Sequence, residues 1–334
     1  MQATQTWHSR RTEIRAPGTE LTDIKLDIRT GTALSGSSWQ YARTGAATSP
    51  PRSADSTPHT RQRVNNPRRQ RIRAMTSRQH GKKGTCVTMF DLRQDVPERI
   101  IDLAERYAYP EIAPASGICY TRASMSCSID GASTRDDHSL DHSAGGNIAI
   151  TAALRGLSDA IVVGSRTLAT ENYAAIAADS DFIGWRSRRR QRTTPVIVAI
   201  SAALNLDPAA DVWKSPGAMV FTCRNASQQR REALRAVGVR VVSCGEDTVD
   251  LKLALEFLAG TGLWRILVEG GPTLLGQFVR DDVLDELCLT VNPNLYGGPS
   301  PRILSSATES IVRMRPLHVL TDVDNNLYTR WVRR

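Results

Sequence analysis

The sequence lacks the signatures of several protein classes. Its six cysteines stand singly, with no C-x-x-C, and no H-x-E occurs, so zinc fingers and zinc deaminases are excluded and no metal site is expected. Neither G-x-G-x-x-G nor G-x-x-x-x-G-K-[ST] is present, so neither standard nucleotide motif applies. No apolar run approaches the roughly 18 residues of a membrane span, and no signal-peptide core is present. We therefore expect a cytoplasmic protein with reduced thiols.

Acidic residues are scarce in the first 88 residues, which hold 16 Lys and Arg against 5 Asp and Glu, whereas the remainder holds 27 against 29. This segment also lacks apolar periodicity, which predicts a disordered basic extension over 1–88 followed by one domain over 89–334. The extension could be a nucleic-acid arm, an organelle transit peptide, or sequence upstream of a true start at Met75 or Met89. Because aromatic residues are not interleaved with its charges, a nucleic-acid partner is not expected.

From residue 89 onward, short apolar runs alternate with helical patterns. The expected helices are 96–110, 147–158, 227–237, 248–260 and 272–282. The expected strands are 118–128, 160–165, 195–201, 218–223, 239–244 and 265–270. Such alternation predicts an α/β fold with a mostly parallel central sheet covered by helices on both faces. Segments 286–298 and 327–332 lack a full helix after them, so we expect them to close the sheet as antiparallel strands.

The stretch "ILVEGGPTLL" (266–275) places an acid and two glycines where a buried strand meets a helix. Pro272 suits the first helical position, and the glycines permit a close backbone approach. The amides of Gly271, Thr273, Leu274 and Leu275 are then expected to form an anion site at the helix N-terminus. A plain tight turn is the alternative, but Glu269 favours a ligand site because a buried acid needs a partner.

The block "RILVEGGPTLLGQFVRDDVLDELCLTVNPNLYGG" (265–298) resembles the RibD C-terminal domain family of riboflavin-biosynthesis pyrimidine reductases, which have a dihydrofolate-reductase-like fold. The likeness is greatest to the stand-alone actinobacterial members and extends from about residue 107 to the C-terminus. It implies NADPH as the cofactor, a small pyrimidine or pterin substrate, a homodimer and no membrane partner. The reaction would move a hydride from NADPH to C1′ of a pyrimidine ribosylamine phosphate, as in 5-amino-6-(5-phosphoribosylamino)uracil reductases.

The resemblance also assigns roles to individual residues. "SMSCSIDGAS" (124–133) corresponds to the family's N-F-x-S-S-L-D-G, and "LRGLSDAIVVGSRTLATENY" (154–173) to its L-R-x-x-x-D-A-x-x-V-G-x-x-T. It implies substrate contacts at Ser139, Arg155 and Glu269, with an arginine fork suiting a phosphate. It implies cofactor contacts at Cys127, Gly164, Thr167, Glu171, Ser201, Gly270, Gly271, Pro272, Thr273, Leu274 and Leu275. Glu269 is expected to be catalytic, accepting from the ring's N–H groups and, with a raised pKa, supplying a proton; Asp130 is a second acid candidate.

Several positions depart from the family pattern. Ser124 replaces an asparagine, Asn147-Ile148 replaces an Asp-Arg pair, and the arginine expected about ten residues after Thr167 is missing. The basic "RSRRRQR" (186–192) could replace the lost phosphate ligand from a loop, or could be a solvated loop. Two alternatives follow: a dihydrofolate or pterin-type reductase, and a cofactor-binding homologue that has lost pyrimidine activity.

Overall fold

The structure is a computed structural model that describes residues 86–91, 99–111, 118–135, 138–140 and 145–334. The chain divides into two units, and all described residues belong to the second, Asn65–Arg334. Most of the extension predicted over 1–88 therefore lies outside the described residues. The boundary expected at residue 88 falls inside a strand that begins at Cys86.

Strands and helices alternate through most of the described chain. The strands are β1 (Cys86–Asp91), β2 (Arg99–Asp102), β3 (Tyr120–Ser128), β4 (Thr134–Arg135), β5 (His138–Ser139), β6 (Ala160–Gly164), β7 (Val196–Ile200), β8 (Met219–Thr222), β9 (Arg240–Ser243), β10 (Arg265–Val268), β11 (Glu286–Asn292), β12 (Met314–Thr321) and β13 (Leu327–Arg333). The α-helices are α1 (Leu103–Arg106), α2 (Gly145–Leu157), α3 (Ser165–Thr170), α4 (Ser180–Arg188), α5 (Gln228–Ala236), α6 (Leu251–Gly260) and α7 (Pro272–Arg280). The six strands expected between 118 and 270 and the four helices expected from 147 onward are confirmed, with shifts of a few residues at their ends.

Within the described part of the chain, eleven strands form one sheet in the order β2-β1-β12-β13-β11-β3-β10-β6-β7-β8-β9. From β11 to β9 every neighbouring pair is parallel, whereas from β11 to β2 every pair is antiparallel. The mostly parallel sheet with an antiparallel edge is therefore confirmed. A separate hairpin joins β4 and β5.

The helix expected over 96–110 is wrong for most of its length. Residues 99–102 form β2, which pairs with β1 in the register Val87↔Ile101. The helix that follows spans only Leu103–Arg106, and the Asp102 side chain caps it by accepting from the amide of Ala104 at 2.8 Å. Because a capping aspartate starts a helix after itself, the two isoleucines before it remain free to pair as a strand.

The expectation for 286–298 needs a partial correction. β11 is antiparallel to β13 but parallel to β3. The reason is α7, which returns the chain across the sheet so that β11 runs in the same direction as β10. The pattern also missed β12, whose Pro316 lies at a register shift opposite β13.

Apolar side chains fill both faces of the sheet. On β6, Ile161 and Val163 belong to one buried cluster, whereas Ala160 and Val162 belong to the other. The predicted Leu251, Leu255 and Leu258 stripe of α6 packs in the second cluster. Among the described residues, no helix is long and apolar enough to cross a membrane.

Candidate active site

A cavity of about 1400 Å³ opens where the parallel strands end. Its wall includes Gly164 at the end of β6, Ile200 at the end of β7, and Glu269 directly after β10. Ligands of open parallel sheets bind at the carboxyl ends of the strands. The cavity therefore has the position that the sequence predicted for the site.

Two glycine turns meet in this cavity. Gly164 precedes α3 and Gly271 precedes α7, and neither N-cap is closed by a side chain. A Cβ atom on Gly271 would lie 2.8 Å from Oγ1 of Thr167, and one on Gly270 would lie 2.6 Å from the Leu274 side chain. Since Gly271 has a φ of −64°, glycine is needed here for space rather than for backbone conformation.

The amides of the α7 turn correct part of the prediction. Leu274 N and Leu275 N both donate to the Gly271 carbonyl, at 3.0 and 3.2 Å, so they do not point at a ligand. They are the helix's own first hydrogen bonds. Pro272 has no N–H, which leaves the amides of Gly271 and Thr273 as the donors at this end. The turn therefore has fewer free donors than the sequence predicted.

The chain around Ser305, which we call the strap, crosses the same turn. The amide of Ser305 donates to the Pro272 carbonyl at 3.0 Å, and Ser305 lines the cavity. A Cβ atom on Gly276 of α7 would lie 2.0 Å from the Ser305 carbonyl oxygen. The missing side chain at residue 276 is therefore what lets the strap approach.

Glu269 is held by two side chains that also line the cavity. Arg155 on α2 donates from Nε to Oε1 and from Nη2 to Oε2, both at 2.7 Å. Tyr173 donates its hydroxyl to Oε2 at 3.0 Å. Burial, followed by the Glu269 charge, raises the pKa of Tyr173 well above its ordinary value, so its hydroxyl stays a donor. The three residues form what we call the Glu269 triad.

The Glu269 triad changes two expectations. Both oxygens of Glu269 accept from the Arg155 guanidinium, so this geometry gives no support to Glu269 as a proton donor. The fork of Arg155 is likewise engaged with Glu269 and is not free to grip a phosphate with the same two nitrogens. Both residues do lie in the cavity, as the sequence predicted.

Other predicted residues fall on the wall or outside it. Thr167, Ser201, Gly270, Pro272, Thr273 and Leu274 line the cavity. Glu171 and Ser139 also line it. Glu171 Oε1 accepts from the Ser139 amide at 2.8 Å, which links the β4–β5 hairpin to the end of α3. Cys127 and Leu275 are buried and are absent from the wall.

Asp130 is also absent from the wall. Its carboxylate accepts from the amides of Tyr296, at 3.1 Å, and Gly297, at 2.7 Å. The Ser128 hydroxyl and the Gly297 amide lower the pKa of Asp130. This position gives it a part in fixing the loop after β11 and gives no support to a catalytic part.

The structure shows where two of the departures from the family pattern lie, Asn147-Ile148 and residues 186–192. Asn147 is buried and its Oδ1 accepts from the Thr290 hydroxyl at 3.2 Å, while Ile148 is exposed at the cavity. "RSRRRQR" is not a loop at its start, because Arg186 lies in α4. Arg186 is 2% exposed and donates to the carbonyls of Gly156 and Ser158, so it holds the fold together.

Tyr173 is the residue that the sequence analysis missed. It stands before a run of alanines that continues along the cavity wall, "AAIAAD" (174–179), and no periodicity marks it. The available signal was its spacing, two residues after Glu171 in a segment already assigned to the site. Thr151 and Thr290 also line the cavity and were not predicted.

Comparison with known proteins gives a consistent result. The RibD C-terminal domain matches residues 120–328. A 2,5-diamino-6-ribosylamino-4(3H)-pyrimidinone 5′-phosphate reductase of Archaeoglobus fulgidus is 26% identical over 181 residues, 54% of this chain and 82% of that protein. The riboflavin biosynthesis protein RibD of Bacillus amyloliquefaciens is 28% identical over 146 residues, 43% of this chain but 38% of that protein.

A solved structure shares the fold. The pyrimidine reductase-like protein of Corynebacterium diphtheriae superposes with a TM-score of 0.62 at 24% identity, covering 69% of this chain and 98% of that one. At this identity the likeness concerns the fold, and it extends over nearly all of the other protein.

Proposed function

This chain belongs to the RibD C-terminal domain family, and we propose that it is an NADPH-dependent reductase of a ribosylaminopyrimidine 5′-phosphate in riboflavin biosynthesis. One observation carries the proposal: the uncapped glycine turn of α7 and the side chain of Glu269 share a single cavity at the carboxyl end of the sheet. The Archaeoglobus fulgidus relative is a reductase of a ribosylaminopyrimidinone 5′-phosphate.

The residues present fit a dinucleotide. Gly270 and Gly271 leave space that a Cβ atom would fill, and the amides of Gly271 and Thr273 supply donors for a diphosphate at the positive end of α7. The Thr167 hydroxyl lies against the same turn, and Ser201 lies on the wall beyond β7. When bound, the reduced nicotinamide supplies the hydride.

The protein's part is to bind, orient and exclude water. Glu269 is fixed by two partners, so it offers an oriented acceptor to an N–H of the pyrimidine. Reduction at C1′ adds a hydride to that carbon and breaks its bond to the ribose ring oxygen, which takes up a proton from water. The Glu269 triad orients the ring for that step.

The test is a titration of the protein with NADPH, in which fluorescence measures the binding affinity. We expect saturable binding in the wild type and at least about a tenfold loss in Gly271→Asp, because the new carboxylate would meet both Thr167 and the diphosphate. Gly260→Asp, at the exposed end of α6, adds the same charge where a Cβ atom meets nothing within 4 Å. Equal NADPH affinity in the two variants would contradict the proposed cofactor site.

A further inference from the structure

A second concavity lies at the opposite end of the sheet from the candidate active site. It is a depression of about 450 Å³ beside Trp264, the residue directly before β10, whereas the cavity opens after the same strand. The Trp264 carbonyl accepts from the amide of Tyr120 at 2.8 Å, which places this depression at the amino ends of β3 and β10. No described residue lines both concavities. A ligand in what we call the Trp264 depression would therefore not displace one in the cavity.

Arginines dominate the charge of the Trp264 depression. Arg188, Arg189 and Arg265 border it, and the opposing charge there is a single carboxylate, that of Glu111. The side chains of Arg188 and Arg189 make no hydrogen bond or ion pair with any described residue. Burial, followed by the positive charge of Arg265, lowers the pKa of Arg189, and the charge of Arg188 acts in the same direction. The cluster therefore holds more positive charge than Glu111 balances.

Two tryptophans orient these guanidinium groups. Arg189 lies 3.7 Å from the ring centroid of Trp185, and Arg265 lies 4.0 Å from that of Trp264. Arg265 is also fixed by buried Asp159, whose two oxygens accept from its Nη1 at 3.2 Å. Stacking on a ring face leaves the N–H groups at the edge of a guanidinium available to the oxygens of an anion. The arginines are therefore oriented for an anionic ligand.

The remainder of the Trp264 depression is largely apolar. Tyr109, Pro110 and Trp264 line it beside the arginines. Its volume falls within the range of small-molecule pockets, about 300 to 1,000 Å³. Guanidinium forks bind phosphate oxygens in pairs, and aromatic side chains favour contact with a planar ring. The two parts of the wall thus complement a phosphate group carried on a small planar molecule.

We propose that the Trp264 depression is a second ligand site, which binds the phosphate monoester of a small aromatic molecule such as a nucleoside. The phosphate lies against Arg188 and Arg189, and the ring lies on the side of Tyr109 and Trp264. The inference is independent of the proposed function, because the depression and the cavity share no described residue.

The experiment is a calorimetric titration of the full chain with three probes: 5′-AMP, inorganic phosphate and adenosine. Inorganic phosphate lacks the ring, and adenosine lacks the phosphate. We expect 5′-AMP to bind saturably and at least about tenfold more tightly than either of the other probes, because only 5′-AMP contacts both parts of the wall.

Three variants locate the bound 5′-AMP. The double variant Arg188→Ser, Arg189→Ser should weaken its binding at least about tenfold. Arg313→Ser, Arg315→Ser is the matched control, because it removes the same charge from two exposed residues that line neither concavity. Gly271→Asp obstructs the glycine turn in the cavity. Both of these variants should bind 5′-AMP as the wild type does.

Several results would overturn the proposal. They are equal affinities of the wild type for 5′-AMP and adenosine, equal affinities for 5′-AMP and inorganic phosphate, and unchanged 5′-AMP binding in Arg188→Ser, Arg189→Ser. An equal loss in the Arg313 and Arg315 control would reduce the effect to net charge, and a loss in Gly271→Asp would place 5′-AMP in the cavity. None of these results bears on the NADPH titration, so the two proposals fail separately.

Discussion

Two clusters in this molecule are built from the same types of side chain, glutamate, arginine and tyrosine, but differ in their exposure to solvent. In the Glu269 triad, Glu269 and Arg155 are 10% and 36% exposed. In the second cluster, Glu286 on β11 and Arg122 on β3 are both 0% exposed, and they are joined by Arg330 on β13 and Tyr120 on β3. We call the second group the Glu286 cluster.

The difference lies in how completely each carboxylate is satisfied. Glu286 accepts from Arg330 Nε at 2.8 Å, Arg330 Nη2 at 3.0 Å, Arg122 Nη2 at 3.2 Å and the Tyr120 hydroxyl at 2.9 Å. Both of its oxygens are saturated by protein groups. Glu269 accepts from three donor atoms, of Arg155 and Tyr173, and lines the cavity. The two clusters therefore differ in whether the carboxylate is enclosed by protein groups or borders open space.

The largest contrast is expected in stability. Glu286→Gln leaves two buried guanidinium groups without their counter-charge, and we expect it to lower the free energy of unfolding by about 3–5 kcal/mol. Glu269→Gln should lower it by no more than about 1 kcal/mol, because Arg155 can be solvated from the cavity. Urea unfolding of both variants measures the difference. Similar losses in the two variants would remove the distinction between the clusters.

Acid should first affect His318, a buried residue of β12 that packs edge-on against Tyr107 close to the Glu286 cluster. Burial, then the nearby charges of Arg330 and Arg106, lowers the pKa of His318 from 6.5 to about 3. Because the unfolded chain protonates this histidine first, its contribution to stability is complete above about pH 6.5 and declines as the pH falls toward 3. Burial raises the pKa of Glu286, but Arg122 and Arg330 outweigh it and lower that pKa, so a further loss follows below its ordinary value of 4.5.

Unfolding by urea between pH 7 and pH 4.5 measures this dependence. We expect a shallower decline in His318→Leu than in the wild type. Tyr173→Phe serves as the comparison from the Glu269 triad and should leave the slope unchanged, since the raised pKa of Tyr173 keeps it neutral throughout this range. An unaltered slope in His318→Leu would show that another group governs the acid response.

The smallest effect is expected from the arginines after Arg186. Arg189 stacks on Trp185 at 3.7 Å, and Arg188 and Arg189 border a shallow depression with Trp264, outside the described cavity wall. The double variant Arg188→Ser, Arg189→Ser should change KM for the phosphorylated substrate by less than about twofold. A rise of about tenfold or more would restore the idea that this segment binds the phosphate.

The parts that were predictable from sequence are those with local signals. Periodic apolar runs gave β3 and the strands from β6 to β10, and the Glu-Gly-Gly-Pro turn gave the position of the cavity. β1 was not predictable, because it pairs with β12, more than 200 residues away in the chain, and β2 joins the sheet only through β1. Likewise, the match of Asp130 to the family motif could not show that its carboxylate would be taken by the Tyr296 and Gly297 amides.

The site shows the same limit. Sequence placed Arg155 and Glu269 in one cavity, but their pairing with each other depends on the packing of α2 against the end of β10. Nothing in the sequence pattern indicated that Arg155, expected to bind a phosphate, would pair with Glu269, expected to bind the substrate ring. The homodimer and the domain boundary at residue 88 stay predictions.

Gly276 of α7 allows Ser305, a residue of the cavity wall, to pack directly against the helix. Glycine inside a helix costs about 1 kcal/mol relative to alanine, yet at this position it brings the Ser305 carbonyl against α7. The same strap is bonded to the first turn of that helix through Pro272. The two contacts hold Ser305 against α7, so a larger residue at 276 would push Ser305 outward and loosen the first turn of that helix.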